Sequence, residues 1–371
     1  MGKNSIVIYV AAALTAALIA LLSTPFVKKL AARIGAMDVP KDERRMHNRP
    51  IARLGGLAIF FGFLVSILIF ADIDLQVRGM LLGSVIIVVL GIIDDIVSIG
   101  AWPKLAVQIA AAVVAVLHGN TIQVLSNPFS PGEYFSLGLL AIPVSVIWVV
   151  VITNSVNLID GLDGLAVGVS AISSAALVAV ALLVSEANVA LIMIALFGAC
   201  LGFMPYNSYP AKIFMGDTGA TFLGFILACM SVQGLFKFYA VISFVIPFLI
   251  IGLPIFDTCF SFFRRLLSGK NPFKADRGHV HHRLIDMGLN QKQSVFILYL
   301  VTTILGLFAV LLTAKGPVRW LLLLTALVLT LVVVTLLYKR AHMNHNGAPH
   351  DDKRAAECPK DEIKDLKDEK N

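Results

Sequence analysis

Residues 77–95 read VRGMLLGSVIIVVLGIIDD. The run 77–93 is apolar apart from Arg78 and Ser84, and a bilayer crossing needs about 17–25 such residues. It then ends on two adjacent carboxylates, Asp94 and Asp95. A charged side chain at the centre of a membrane helix costs roughly 2.5–3.5 kcal/mol on insertion scales, so acids beside an apolar span mark function by default. Adjacent like charges also disfavour each other's ionisation unless a cation stands between them. The pair therefore implies a metal, a positive substrate group or a proton transfer. The plain alternative is a solvated helix end.

The rest of the chain repeats this pattern. Eleven apolar segments are legible: 6–26, 54–71, 77–93, 102–118, 136–152, 164–184, 188–204, 219–235, 238–256, 294–313 and 318–337. Over 371 residues, 58% are hydrophobic and 14% charged, with a mean hydropathy of +0.86. Soluble domains carry about 25% charged residues, so the composition argues against a soluble globular enzyme. The apolar start, 6–22, has no small-residue cleavage site before its polar flank and reads as a retained first span. Cys200, Cys229 and Cys259 lie in apolar stretches and Cys358 in a polar tail, with no CxxC spacing. That argues against a disulfide framework or a zinc site.

Charge sets the orientation. The net charge is +7. A basic balance can indicate nucleic acid, but the positive-inside rule explains it more simply, and no nucleic-acid partner is expected. With the N-terminus outside, the inner side holds 25 Lys and Arg and the outer side 5. The inner set comes from loops 27–53 and 257–293, Lys104, Lys212 and the tail. An even number of spans would break this asymmetry. The fold expected is therefore an all-α polytopic membrane protein of about eleven transmembrane helices, N-terminus outside, C-terminus cytoplasmic, with its active site at the cytoplasmic face. A membrane domain over 1–338 would precede a charged tail, 339–371, whose eight basic and eight acidic residues predict disorder.

Six Asp residues sit at or inside the inner ends of these segments: Asp94, Asp95, Asp160, Asp163, Asp217 and Asp257. In NSVNLIDGLDGLAVG, residues 154–168, Asn154, Asn157, Asp160 and Asp163 recur every third position. Neighbours three apart share a helix face, so Asn157 and Asp160 can point at one ligand. Their hard oxygens suit magnesium or manganese, and Gly161 and Gly164 let the backbone turn. An Asp N-cap explains one of these acids, not the series. In FMGDTGATFLG, residues 214–224, Asp217 stands at the start of an apolar helix. Such a helix start attracts phosphate, which an Asp repels unless a divalent cation bridges them; an N-cap is again the plain alternative. Residues 264–284, RRLLSGKNPFKADRGHVHHRL, offer guanidinium forks that match phosphate oxygens and histidines that donate to a sugar or pyrophosphate. A loop that only sets topology explains the Arg and Lys but not His-x-His-His. An inner face with cation ligands beside phosphate donors suits an enzyme joining a phosphorylated lipid to a nucleotide-activated donor.

These motifs resemble those of the polyprenyl-phosphate N-acetylhexosamine-1-phosphate transferases (glycosyltransferase family 4), and most closely the bacterial undecaprenyl-phosphate GlcNAc-1-phosphate transferases. The likeness spans about residues 20–290 and rests on RRMHNRPIARLGG (44–56), the Asp94-Asp95 pair, NxxNLIDGLDGL (154–165), FMGDTG (214–219), PIFDT (254–258) and RGHVHHRL (277–284). It implies that UDP-GlcNAc and undecaprenyl phosphate give undecaprenyl-pyrophosphate-GlcNAc and UMP in a bacterial plasma membrane, with Mg2+, or Mn2+ in its place. This would be the first membrane step of an envelope glycan such as teichoic acid or O-antigen. Asp94, Asp95, Asp160 and Asp163 match catalytic acids, with Asp94 the proposed base. Asn157 and Asp217 match magnesium ligands. Lys104 matches a phosphate-binding lysine and Phe214 an aromatic that stacks on uracil. Asn154, Arg277, His279, His281, His282 and Arg283 match substrate-binding positions, and His47 and Arg53 a loop at the lipid phosphate. Relatives also suggest a homodimer.

One departure matters. Relatives that transfer phospho-MurNAc-pentapeptide carry three consecutive histidines where this chain reads His279-Val280-His281-His282, which favours the GlcNAc branch over that donor or another UDP-HexNAc. An ion-coupled transporter would place its acids near the bilayer midplane, often with inverted repeats; here the acids share one face and no repeat is visible. A CDP-alcohol phosphotransferase is disfavoured because the Asp-Gly pairs at 160 and 163 lack the Ala-Arg that follows in that family.

Overall fold

A computed structural model describes residues 3–39, 50–126, 134–235, 242–269, 278–314 and 316–345. The helices are α1 (Lys3–Ile34), α2 (Gly56–Phe70), α3 (Leu75–Val97), α4 (Ala101–Leu117), α5 (Ala141–Leu158), α6 (Leu165–Leu183), α7 (Ala187–Asn207), α8 (Gly216–Leu235), α9 (Ile242–Ile250), α10 (Gly252–Leu267), α11 (Val280–Asp286), α12 (Gln291–Thr313) and α13 (Val318–His345). Among the described residues, seven helices are long and apolar enough to cross a membrane, and α2 and α4 are shorter apolar helices. The chain is a polytopic α-helical membrane protein. Contacts divide it into two units, Met1–Thr330 and Leu331–Asn371.

Two details depart from the expectation. Two short antiparallel ladders interrupt the helices: β1 (Met37–Asp38) pairs with β2 (Ile51–Ala52), and β3 (Val124–Ser126) with β4 (Tyr134–Ser136). The apolar segment 238–256 is not one helix: α9 stops at Ile250 and α10 starts at Gly252. Ile251 leaves helical geometry at φ −102°, ψ 19°. Pro254 then falls in the first turn of α10, where N–H groups have no intrahelical acceptor and its missing donor costs nothing.

Helices in lipid associate through close packing of small residues rather than hydrophobic exclusion. Ala12, Ala16 and Ala20 of α1 are fully buried at four-residue spacing. Gly198 and Gly202 of α7 lie so close to α1 that a Cβ on either would strike the backbone of Ala13 or Ala17. Ser66 of α2 donates to the Ala12 carbonyl at 2.8 Å. The same device sets the position of α8. A Cβ on Gly91 of α3 would land on the Thr218 backbone, and one on Gly56 of α2 on the Gly219 backbone. Because backbone blocks both positions, Gly91→Ala is expected to destabilise the protein by about 1–3 kcal/mol, the usual range for overpacking. Denaturant unfolding in detergent checks this, and an unchanged midpoint would show that α3 and α8 have room between them.

Candidate active site

The site is assembled where α3 ends and α4 and α8 begin. Ser98 adopts a left-handed conformation at φ 54°, which turns the chain after α3. Lys104, one turn into α4, then reaches back, its Nζ 2.8 Å from Asp94 Oδ2. Asp94 Oδ1 accepts from the Ile99 amide at 2.6 Å. Lys104 Nζ also pairs with Asp217 Oδ2. Asp95 faces elsewhere. Its Oδ1 accepts from the Asp217 amide at 3.0 Å, and its Oδ2 from the Thr218 amide at 3.1 Å and the Thr218 hydroxyl at 2.7 Å. A carboxylate from α3 thus caps α8, satisfying its orphan N–H groups and its positive end. Asp217 itself lies in the first turn of α8; the N-cap alternative for its side chain does not hold. Gly216 has φ +73°, and a side chain there would strike Asp95.

The segment after β2 adds the second cation. The Phe214 amide donates to the Ala52 carbonyl at 2.8 Å, and the Gly55 and Gly56 amides to the Phe214 and Met215 carbonyls at 2.9 and 2.8 Å. This stitching holds Arg53 against α8, its Nη2 3.5 Å from Asp95 Oδ1 and 3.7 Å from Asp217 Oδ1. The adjacent acids are therefore compensated separately, Asp94 by Lys104 and Asp95 by Arg53 and the α8 terminus.

The third-position series is not a single helical face. α5 ends at Leu158, so Asn154 and Asn157 are helical while Asp160 and Asp163 lie in a turn that closes at Gly164, φ +78°. Gly164, not an acid, occupies the N-cap of α6. Asp163 Oδ2 instead accepts from the Ala211 amide at 2.9 Å, tying this turn to the loop after α7. Asn154 points toward α4, donating to Gln108 Oε1 at 2.7 Å. Asp160 keeps part of its surface at a cavity rim, yet protein surrounds it closely. Burial, and then the negative charges of Asp217, Asp95 and Asp163 against the opposing Arg53, push its pKa up to about 7.

Asp257 organises the histidine loop. Its Oδ2 lies 3.0 Å from His279 Nδ1, and its Oδ1 accepts from the Val280 amide at 2.8 Å. His279 and His281 are buried and stack with centroids 5.8 Å apart, and His281 meets His282 at 4.3 Å. Burial, with the neighbouring His282, lowers the His281 pKa to about 4, so it is neutral at pH 7. Arg283 lies over the Phe260 ring, 4.7 Å from its centroid. Arg277 and His47 lie outside the described residues.

A cavity of about 690 Å³ collects Arg53, Asn157, Asp160, Asp163, Phe214, Asp217 and His282 from the expected set, within the range of about 300–1,000 Å³ usual for ligand sites. Asp94, Asp95 and Lys104 reach it through Asp217. Asn154, His279, His281 and Arg283 do not line it. Sequence reading missed Asp38, Asn207, Tyr209, Asp286 and Gln291, which do. Asn207 is 3% exposed and donates to the Ile213 carbonyl at 3.1 Å, while its Oδ1 has no partner. A polar residue closing an apolar helix was the available signal, since the six Asp residues carry the same mark. Among the described residues, no three His, Cys, Asp or Glu side chains converge as a metal cluster. Hard oxygens of Asn157, Asp160 and Asp217 nevertheless line one cavity, and magnesium commonly takes one or two carboxylates and completes its shell with waters and substrate phosphates. The donor set fits such an ion.

A 314-residue stretch, 84% of this chain and 86% of the relative, is 41% identical to the probable undecaprenyl-phosphate N-acetylglucosaminyl 1-phosphate transferase of Bacillus subtilis (strain 168). The profile of glycosyl transferase family 4 matches residues 77–235. The chain belongs to glycosyl transferase family 4. Further similarity extends to the decaprenyl-phosphate N-acetylglucosaminephosphotransferase of Mycolicibacterium smegmatis, 32% identical over 87% of each chain. The undecaprenyl-phosphate alpha-N-acetylglucosaminyl 1-phosphate transferase of Thermotoga maritima is 33% identical over 72% of this chain and 78% of its own. The family 4 match contains the whole carboxylate–lysine cluster, Phe214, the end of α5 and the 159–164 turn; Arg53 and the histidine loop lie beyond its ends.

Proposed function

We propose that this protein transfers N-acetylglucosamine 1-phosphate from UDP-GlcNAc to undecaprenyl phosphate, releasing UMP, as the first membrane step of an envelope glycan. The observation that carries this reading is one cavity holding Asn157, Asp160 and Asp217 oxygens, the Phe214 ring and the Arg53 cation, in a chain whose relatives are named as GlcNAc-phosphate transferases to polyprenyl phosphates. An acceptor phosphate oxygen forms a bond to the β-phosphorus, the bond to the bridging oxygen breaks, and UMP departs. Phosphoryl transfer needs positioning and charge neutralisation more than covalent help. Arg53 and Lys104 supply fixed positive charge. Phe214 offers a face for the uracil, and the unpartnered Asn207 Oδ1 accepts its imide N–H. Asp94 takes the acceptor's last proton. Asn157, Asp160 and Asp217 would hold Mg2+, which supplies charge neutralisation on the pyrophosphate when bound. The topology proposed is eleven spans, N-terminus outside, in the bacterial plasma membrane, with the site on the cytoplasmic side; a homodimer is the proposed assembly.

The test is UMP release by purified protein with undecaprenyl phosphate and, in parallel, UDP-GlcNAc, UDP-GalNAc and UDP-MurNAc-pentapeptide. Turnover with UDP-GlcNAc alone, abolished by EDTA and restored by Mg2+, is expected; full turnover in metal-free buffer would sink the metal assignment. A pH dependence accompanies it. Between about pH 4 and 7 the folded protein keeps the Asp160 proton that the unfolded chain has released, so cation-free stability falls as pH rises across that window. A cation needs the ionised carboxylate, so apparent Mg2+ affinity is expected to rise about tenfold per pH unit toward 7 and level off above it. Calorimetry in buffers of different ionisation heat reads the released proton directly.

A further inference from the structure

Gln108 of α4 is 2% exposed, and its Nε2 has no hydrogen-bond partner. A buried donor left unpaired is rare and costly, more so in an apolar bundle where water does not substitute. Its orientation is fixed by a chain of contacts. The Val150 carbonyl can only accept, and Asn154 Nδ2 donates to it at 2.8 Å. The same Nδ2 donates to Gln108 Oε1 at 2.7 Å. Turning the Gln108 amide over would set two donors against each other, so Nε2 is the free end.

The surroundings say what it serves. Lys104 precedes Gln108 by four residues and so lies on the same face of α4, where it pairs with Asp94 and Asp217. Asn157, which lines the cavity, stands one turn nearer the end of α5 than Asn154. Gln108 and Asn154 are therefore one turn deeper in the bundle than Lys104 and Asn157, and neither lines the cavity open to a soluble donor. Outward-facing neighbours on the same two helices, Trp102 and Val151, are 75% and 43% exposed and apolar, as a surface facing lipid requires. An ammonium and a free amide N–H offer donors only, and the unprotonated oxygens of a phosphate monoester accept from both.

We propose that Gln108 Nε2 donates to a phosphate oxygen of the polyprenyl-phosphate acceptor, beside Lys104, with Asn154 as the positioning residue that orients the amide. This rests on the transferase reading above and assigns Gln108 to the acceptor rather than to the UDP-sugar. The test uses the full chain in nanodiscs with Gln108→Leu, which keeps size and removes the donor, and Gln108→Met as a second variant. KM for undecaprenyl phosphate is expected to rise about ten- to a hundredfold, the value of one hydrogen bond to a charged group. KM for UDP-GlcNAc should hold, and the thermal midpoint should change little, because the orphan Nε2 is gone while Asn154 Nδ2 loses the Gln108 oxygen and keeps the Val150 carbonyl. Farnesyl phosphate, added with no nucleotide, should raise the wild-type midpoint and fail to raise that of either variant. Unchanged acceptor KM and an unchanged farnesyl phosphate shift would overturn the assignment. So would equal rises in both KM values with a lowered midpoint, the result of a packing role. A wild type that binds farnesyl phosphate but releases no UMP from UDP-GlcNAc would overturn the transferase reading instead, while the variants' farnesyl phosphate shifts still decide Gln108.

Discussion

Asp217→Asn is expected to lower kcat by about a thousandfold while leaving the protein folded. The magnitude follows from what the carboxylate touches. Asp217 pairs with Lys104, lies 3.7 Å from the Arg53 guanidinium and lines the cavity, so one substitution disturbs both fixed cations and removes a proposed cation ligand. Removing one preorganised electrostatic contact in an enzyme costs about 10²–10³ in kcat, and this residue makes more than one. The fold should survive because the capping of α8 does not use this side chain. Asp95 caps α8 through the Asp217 amide and through Thr218, and an Asn presents the same amide. The Asp217 carbonyl still accepts from the Thr221 hydroxyl at 2.6 Å. UMP-release kinetics with thermal unfolding of the same preparation check both halves. Near-wild-type turnover would remove Asp217 from the chemistry, and a collapsed midpoint would make its role structural.

That separation of side chain from backbone shows what a sequence carries and what it does not. Hydropathy located the helices because each span must be apolar along its whole length, and charge showed which acids are out of place. Those signals are local. Capping of α8 by Asp95 joins residues more than a hundred positions apart, and nothing near Asp95 in the chain distinguishes it from Asp94. The single helical face fails because α5 stops at Leu158 and a turn carries Asp160, so Asn157 and Asp160 meet in the cavity by a different geometry. Gln108 carries no charge to stand out within its apolar helix, and Asn207 closes a helix without the charge that marks the six Asp residues; the missing partners of their buried atoms set both apart. The histidine loop was legible as a motif, but its order comes from Asp257 on a separate helix, which places only His282 at the cavity.

Asp94→Asn is expected to cut kcat by about a hundredfold, at the lower end of the range for losing an acid–base group, and the loss should not add to that of Lys104→Gln. Asp94 holds Lys104 at 2.8 Å with one oxygen and the Ile99 amide at 2.6 Å with the other. An Asn keeps a carbonyl oxygen for one of these contacts and loses the charge that fixes the ammonium between α3 and α8. If Asp94 acts with Lys104, the lysine variant already loses most of what the aspartate supplies. The double variant then falls little below the worse single one, as groups acting as a unit do. If Asp94 works alone as a base, the losses multiply. UMP-release kinetics of the two single variants and the double variant separate the two outcomes.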